Sequence, residues 1–136
     1  MGSSFANMSM QSAITSVAIL ALMQIVLGLA VSGCRWKFKR STGIPDDPGH
    51  PMKRVVTAYS NCAEWHPLFY ALLLVQAING GPKWVVWMGP AVVAGRCLLV
   101  AGLLTFTLRK PNVFRFLGAA ITYLTALILV GLLLFV

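Results

Sequence analysis

Charge is what this sequence has least of. Eleven Lys/Arg and three Asp/Glu make up 10% of its 136 residues, whereas a soluble domain carries about 25%. Such a composition excludes an ordinary water-soluble enzyme, a disordered tail and a nucleic-acid-binding module. Cysteine is scarce too. Cys34, Cys62 and Cys97 are odd in number and widely spaced, which fits neither a disulfide framework nor a zinc site. Buried, inert thiols are the expectation. The chain lacks His-x-x-x-His, a Gly-rich phosphate loop and a nucleophile elbow. Metal, nucleotide and covalent chemistry are therefore poor matches, and no metal site is expected.

What remains is apolar. Hydrophobic residues make up 58% of the chain, and mean hydropathy is +0.80. A bilayer crossing needs about 20 apolar residues. Four segments meet that length, at about 11–34, 54–78, 84–108 and 113–136. The first has no basic stretch before it and is longer than a signal-peptide core, so it reads as an uncleaved span. Asn79-Gly80-Gly81-Pro82 and Arg109-Lys110-Pro111-Asn112 read as turns, and the Pro/Gly-rich stretch from Trp36 to Met52 as the one substantial loop. The expectation is a single domain over 1–136. It is an all-α integral membrane protein, a four-transmembrane-helix bundle.

The charges orient it. Two connections on one side carry Arg35, Lys37, Lys39, Arg40, Lys53, Arg54, Arg109, Lys110 and Arg115, and the other side has Lys83 alone. That imbalance places the basic end in the cytosol and both termini on the opposite side. Trp84 and Trp87 would sit at the far interface. The run Arg35-Trp36-Lys37-Phe38-Lys39-Arg40 reads as a headgroup anchor or as an attractor of an anionic cosubstrate.

Ionisable groups inside hydrocarbon are costly, so each needs an account. At about 100° per residue, Arg54, Thr57, Asn61 and Glu64 share one stripe of the second span about 80° wide. Tyr59 and His66 fall on a second polar face. A helix polar on two faces must touch protein or water on both, which favours an oligomer. Glu64 lies about 15 Å from the basic end and Arg96 about 20 Å, within one helical turn of each other. They are expected to pair, with Asn61 joining them. This is either a buried ion pair that only holds helices together, or the floor of a polar pocket with Arg54 at its mouth. Pro67 and Pro90 read as architectural kinks, and Gln24 as a helix–helix contact.

The segment Arg54-Val-Val-Thr-Ala-Tyr-Ser-Asn61-Cys-Ala-Glu64-Trp-His-Pro67-Leu-Phe resembles the second-helix signature of the MAPEG superfamily, the membrane-associated proteins in eicosanoid and glutathione metabolism. Asn-x-x-Glu-(Tyr/Trp)-x-Pro is its most specific part. Ala94-Gly95-Arg96 through Gly102 resembles the third-helix motif, and Arg115-Phe-Leu-Gly118 the start of the fourth helix. The resemblance implies a homotrimer that binds glutathione as cosubstrate between subunits, near the cytosolic side. Carried over by position, it implies a glutathione site at Arg54, Tyr59, Asn61, Glu64, Trp65 and Arg96. It also implies a thiol-activating cation at Arg109 or Lys110. The implied function is a glutathione-dependent transferase or peroxidase acting on lipophilic electrophiles or lipid hydroperoxides, in the endoplasmic reticulum or another endomembrane if the source is eukaryotic.

Three positions depart from the pattern. Thr57 stands where a carboxylate-gripping Arg is usual, Leu99 where Tyr or His is usual, and Leu103 where one branch has a second Tyr. Loss of the Arg alone removes a charge-assisted bond of about 1.5–3 kcal/mol. The alternative is therefore a non-catalytic scaffold: a lipid-binding protein or an accessory subunit of a larger membrane complex. A small channel or transporter subunit is a third class, though no repeat symmetry or broken-helix pair supports it.

Overall fold

The computed structural model describes residues 2–135, with side chains from 7 to 135. Four α-helices follow one another: α1 Gly2–Lys37, α2 Pro51–Asn79, α3 Met88–Thr105 and α4 Val113–Phe135. A 3₁₀ turn, Lys83–Trp87, leads into α3. α1, the stretch Lys83–Thr105 and α4 are each long and apolar enough to cross a membrane, so the chain is an integral membrane protein. α2 is as long, but Lys53, Arg54, Asn61, Glu64, His66 and Gln76 make it the least apolar of the four.

The boundaries differ from the sequence reading in physically explicable ways. α1 extends beyond 11–34 at both ends, because nothing in its flanks breaks a helix. α3 starts at Met88 and stops at Thr105, inside the expected 84–108. Pro82 precedes a 3₁₀ turn there instead of the helix itself. Pro90 does not kink α3, because it sits in the first turn, where its missing N–H has no partner to lose. Pro67 does lie in the interior of α2. The fourth expected span ends on Val136, which lies outside the described residues.

The helix ends are fixed by specific groups. His50 caps α2: its Nδ1 accepts from the Met52 N–H at 3.1 Å, and Pro51 takes the first helical position. Asn112 caps α4, its Oδ1 accepting from the Arg115 N–H at 3.0 Å while its Nδ2 donates to the Gly102 carbonyl at 3.1 Å. At the basic end the two loops are joined, since Leu108 N–H donates to the Pro48 carbonyl at 3.3 Å. At the opposite end Ser12 Oγ donates to the Val86 carbonyl at 2.7 Å. Neighbouring helices therefore run antiparallel.

α3 and α4 meet backbone to backbone. A Cβ added at Gly118 would fall 2.5 Å from Leu99 N and 2.7 Å from the Gly95 carbonyl oxygen. One at Gly102 would fall 2.8 Å from Arg115 N. Small residues permit this approach, which maximises dispersion contact where no hydrophobic effect separates helix from lipid. Along the same helix Thr122 and Thr125 donate to the Gly118 and Ile121 carbonyls, each at 2.7 Å, so neither hydroxyl is left unsatisfied. Large apolar side chains of α1 and α4, among them Leu22, Ile25, Leu29, Leu124 and Leu127, remain on the outside, as lipid contact requires.

Candidate functional site

Arg96 is the largest fully buried side chain described. α3 projects it into the seam with α2, where Nη2 donates to Asn61 Oδ1 at 2.6 Å and to Cys62 Sγ at 3.4 Å. Its Nε and Nη1 have no hydrogen-bond partner, nor does either ring nitrogen of buried His66 or Oε1 of Gln24. A buried charge is costly unless paired, so the bond to Asn61 is what holds the guanidinium in place.

The expected Glu64–Arg96 pair does not form. Glu64 is exposed on the outer face of α2 and has no ion pair or hydrogen bond among the described residues. The reason is angular. Arg96 sits between Asn61 and Cys62, which flank one direction of α2, and Glu64 lies about 100° around the helix from that direction. The polar stripe read from the sequence is real, but only its Arg54–Asn61 edge meets α3.

The remaining candidates are distributed around the same helix. Arg54 folds onto the end of α3, its Nη1 donating to the Leu104 and Thr105 carbonyls at 3.0 and 3.4 Å. A cation at a helix C-terminus meets the negative end of the dipole and satisfies carbonyls the helix leaves open. Thr57 Oγ1 donates to the Lys53 carbonyl at 2.8 Å. Trp65 packs edge-on against Tyr123 of α4, with centroids 5.0 Å apart and planes at 87°. Tyr59 faces α1 instead, where its ring lies against Gly28. Leu99 and Leu103 are buried in the cluster that contains Leu27, Ala58 and Cys62. Arg54, Asn61 and Arg96 thus sit along the α2–α3 seam from its basic end inward, with Glu64 on the outer face of α2, whereas Tyr59 and Trp65 point to other neighbours.

Arg109 and Lys110 are exposed in the α3–α4 connection at that same end. Arg109 Nη2 meets Asp47 Oδ1 at 3.5 Å, an exposed contact of small energetic weight. Lys110 offers its carbonyl to Arg115 Nη1 at 3.3 Å, and the residue is exposed.

Sequence reasoning missed two features here. One is Asn112, which joins α3 to α4. Its signal was present, as an Asn immediately before an apolar helical run is an N-cap pattern. The other is the small-residue outer face of α2, Ser60, Ala63 and Ala71, exposed beside Glu64. Their offsets of three and eight residues, which put them within about 80° on one face, were equally visible.

No curated protein and no solved structure matches the chain. The MAPEG family model does match, over residues 13–135, a range that takes in most of α1 and all of α2, α3 and α4, with Asn61, Glu64 and Arg96 among them. By that match, and with the helices and polar residues arranged as above, the chain belongs to the MAPEG family.

Proposed function

We propose that this protein binds glutathione at the basic end of the bundle, between neighbouring subunits, and directs its thiol at lipophilic electrophiles or lipid hydroperoxides in the membrane. Glu64 carries this reading. It is an ionisable side chain on the outer face of a helix, with apolar Ala63, Pro67 and Leu68 exposed around it. A carboxylate left there against hydrocarbon costs several kcal/mol, on the order of 2.5–3.5 or more. Contact with a second protomer and a polar ligand removes that cost. The small side chains at Ser60, Ala63 and Ala71 would let such a protomer approach closely. In this reading α2 is a fourth span lying near the centre of a trimer, the basic end faces the cytosol, and both termini lie on the far side.

The free hydrogen-bonding capacity fits a peptide ligand. Asn61 uses its Oδ1 on Arg96 and Arg54 its Nη1 on α3. Asn61 Nδ2 and Arg54 Nη2 are left to donate to carbonyls or carboxylates, while Glu64 can accept from an ammonium. Arg109 or Lys110 supplies the positive charge that favours a thiolate over a thiol. No covalent enzyme intermediate is required, because proximity and thiolate stabilisation lower the barrier together.

Calorimetry with glutathione, and rates with a chromogenic electrophile, test the proposal on protein in detergent. Binding at submillimolar affinity and a rate about tenfold lower in the Arg109→Ala, Lys110→Ala double variant are expected. An unchanged rate would reject these activators. A second reading, a non-catalytic scaffold, is favoured by Leu99 and Leu103. These aliphatic side chains fill the bundle where the family resemblance leads one to expect polar ones. Absence of glutathione binding at millimolar concentration would select it.

A further inference from the structure

His66 takes no part in the proposed glutathione site. It is one of two histidines in the chain and is only 1% exposed. Neither of its ring nitrogens has a hydrogen-bond partner. A neutral imidazole carries one donor and one acceptor, so both capacities go unused in a dry core. The burial is complete within a single chain, so it does not depend on what covers the outside of the bundle.

Three helices meet at this ring. From α1 the Leu20 carbonyl faces it without closing a hydrogen bond. One turn further along α1, Gln24 Oε1 is also unpartnered. On α2 itself Cys62 precedes His66 by one turn on the same face, and the Tyr70 ring lies 6.2 Å away between centroids. α3 brings the fully buried Arg96, whose Nη2 is 3.4 Å from Cys62 Sγ and whose charge reaches the imidazole. The two ionisable side chains of α4 lie elsewhere, Tyr123 against Trp65 and Arg115 at the Lys110 carbonyl. No acid joins the layer, because Asp46, Asp47 and Glu64 are the chain's three acids and all are exposed.

A proton on His66 would therefore put a second cation into a layer that already holds one, with no carboxylate to offset either. Like charges about one helical turn apart repel strongly in low dielectric, and an imidazolium without solvent adds its own cost. The Leu20 carbonyl and Gln24 Oε1 are neutral acceptors and offset only part of this. Water removes both costs, but it reaches the layer only if the helices separate.

We propose that His66 is an acid-sensitive catch, whose protonation parts the α1–α2–α3 core and frees Asn61 from Arg96. The opened chain binds a proton that the closed core leaves off, so closure weakens as pH falls below the ordinary imidazole value of about 6.5. The catch itself stands apart from the glutathione reading. Only its effect on a ligand at Asn61 leans on that reading.

Accessibility of the Cys62 thiol reports the opening without any ligand. The full chain carrying Cys34→Ser and Cys97→Ser is labelled in neutral detergent with 4,4′-dithiodipyridine, at about pH 7.5 and about pH 5. Each rate is divided by that of the unfolded chain at the same pH, which removes the thiol's own pH dependence. Protection of Cys62 is expected to be on the order of tenfold lower at the acid pH, with a melting temperature about 4 °C lower. His50→Asn keeps an accepting cap atom for the Met52 N–H but no titrating ring, and should retain both losses. His66→Leu and His66→Gln are expected to hold protection within twofold across the same range. Undiminished acid sensitivity in either His66 variant would overturn the proposal, as would unchanged protection in the parent chain. Disappearance of the effect in His50→Asn would place the titrating group at the cap of α2 and overturn it equally.

Discussion

The α3–α4 seam and the α2–α3 seam hold helices together by opposite means. Between α3 and α4 the backbones touch at Gly95, Gly102 and Gly118, and the hydroxyls of Thr122 and Thr125 are satisfied within α4. Between α2 and α3 a guanidinium is buried whole, with one oxygen partner and one sulfur partner. The first seam gains from dispersion and requires only that nothing be added. The second depends on one hydrogen bond that keeps a desolvated charge tolerable. A chain can thus stabilise one interface by removing side chains and another by committing a costly one. Only the second leaves polar atoms close to a possible ligand.

The contrast can be broken at its most expensive point first. Asn61→Leu leaves the Arg96 guanidinium without an oxygen partner and should cost about 3 kcal/mol. Arg96→Met added to it should restore much of that loss, because charge and partner are then removed together. Thermal unfolding in detergent measures both, and a double variant no more stable than Asn61→Leu alone would contradict the account of Arg96. Next comes the glycine seam. Gly118→Ala should cost about 2 kcal/mol, since the added methyl meets backbone of α3. The same change at Gly131, which has nothing near it, should be close to neutral or mildly stabilising, so equal effects at the two glycines would argue against the close crossing. The smallest effect is at the cap. Asn112→Ala should lower stability by about 1 kcal/mol, while Asn112→Asp, which keeps the accepting oxygen but loses the bond to Gly102, should fall between. Hydrogen exchange at the start of α4 would show whether the loss is local.

Much of the architecture was legible. Hydropathy marked four helices, and Gly80 and Pro82 marked the turn between α2 and α3, where Gly80 adopts φ 72°. Charge marked the basic end, and loop contacts such as Leu108 to Pro48 bring its two halves together. The motif Asn61-x-x-Glu64 pointed to the helix whose Asn61 meets Arg96. What it could not supply was the partner of each group. The bond from Arg54 to the Leu104 carbonyl and the packing of Trp65 against Tyr123 are contacts that no motif names.

The order of residues along the chain set the helices, their apolar reach, the asymmetry of charge and the angular spacing of polar groups on each helix, because these follow from local geometry and transfer energies alone. How each helix is rotated against its neighbour was settled by packing. The glycines of α3 turn that helix toward α4, and its rotation in turn presents Arg96 to Asn61 and leaves Glu64 outside. A period fixes the angle between two residues on one helix. Which way that angle points is a property of contacts between helices.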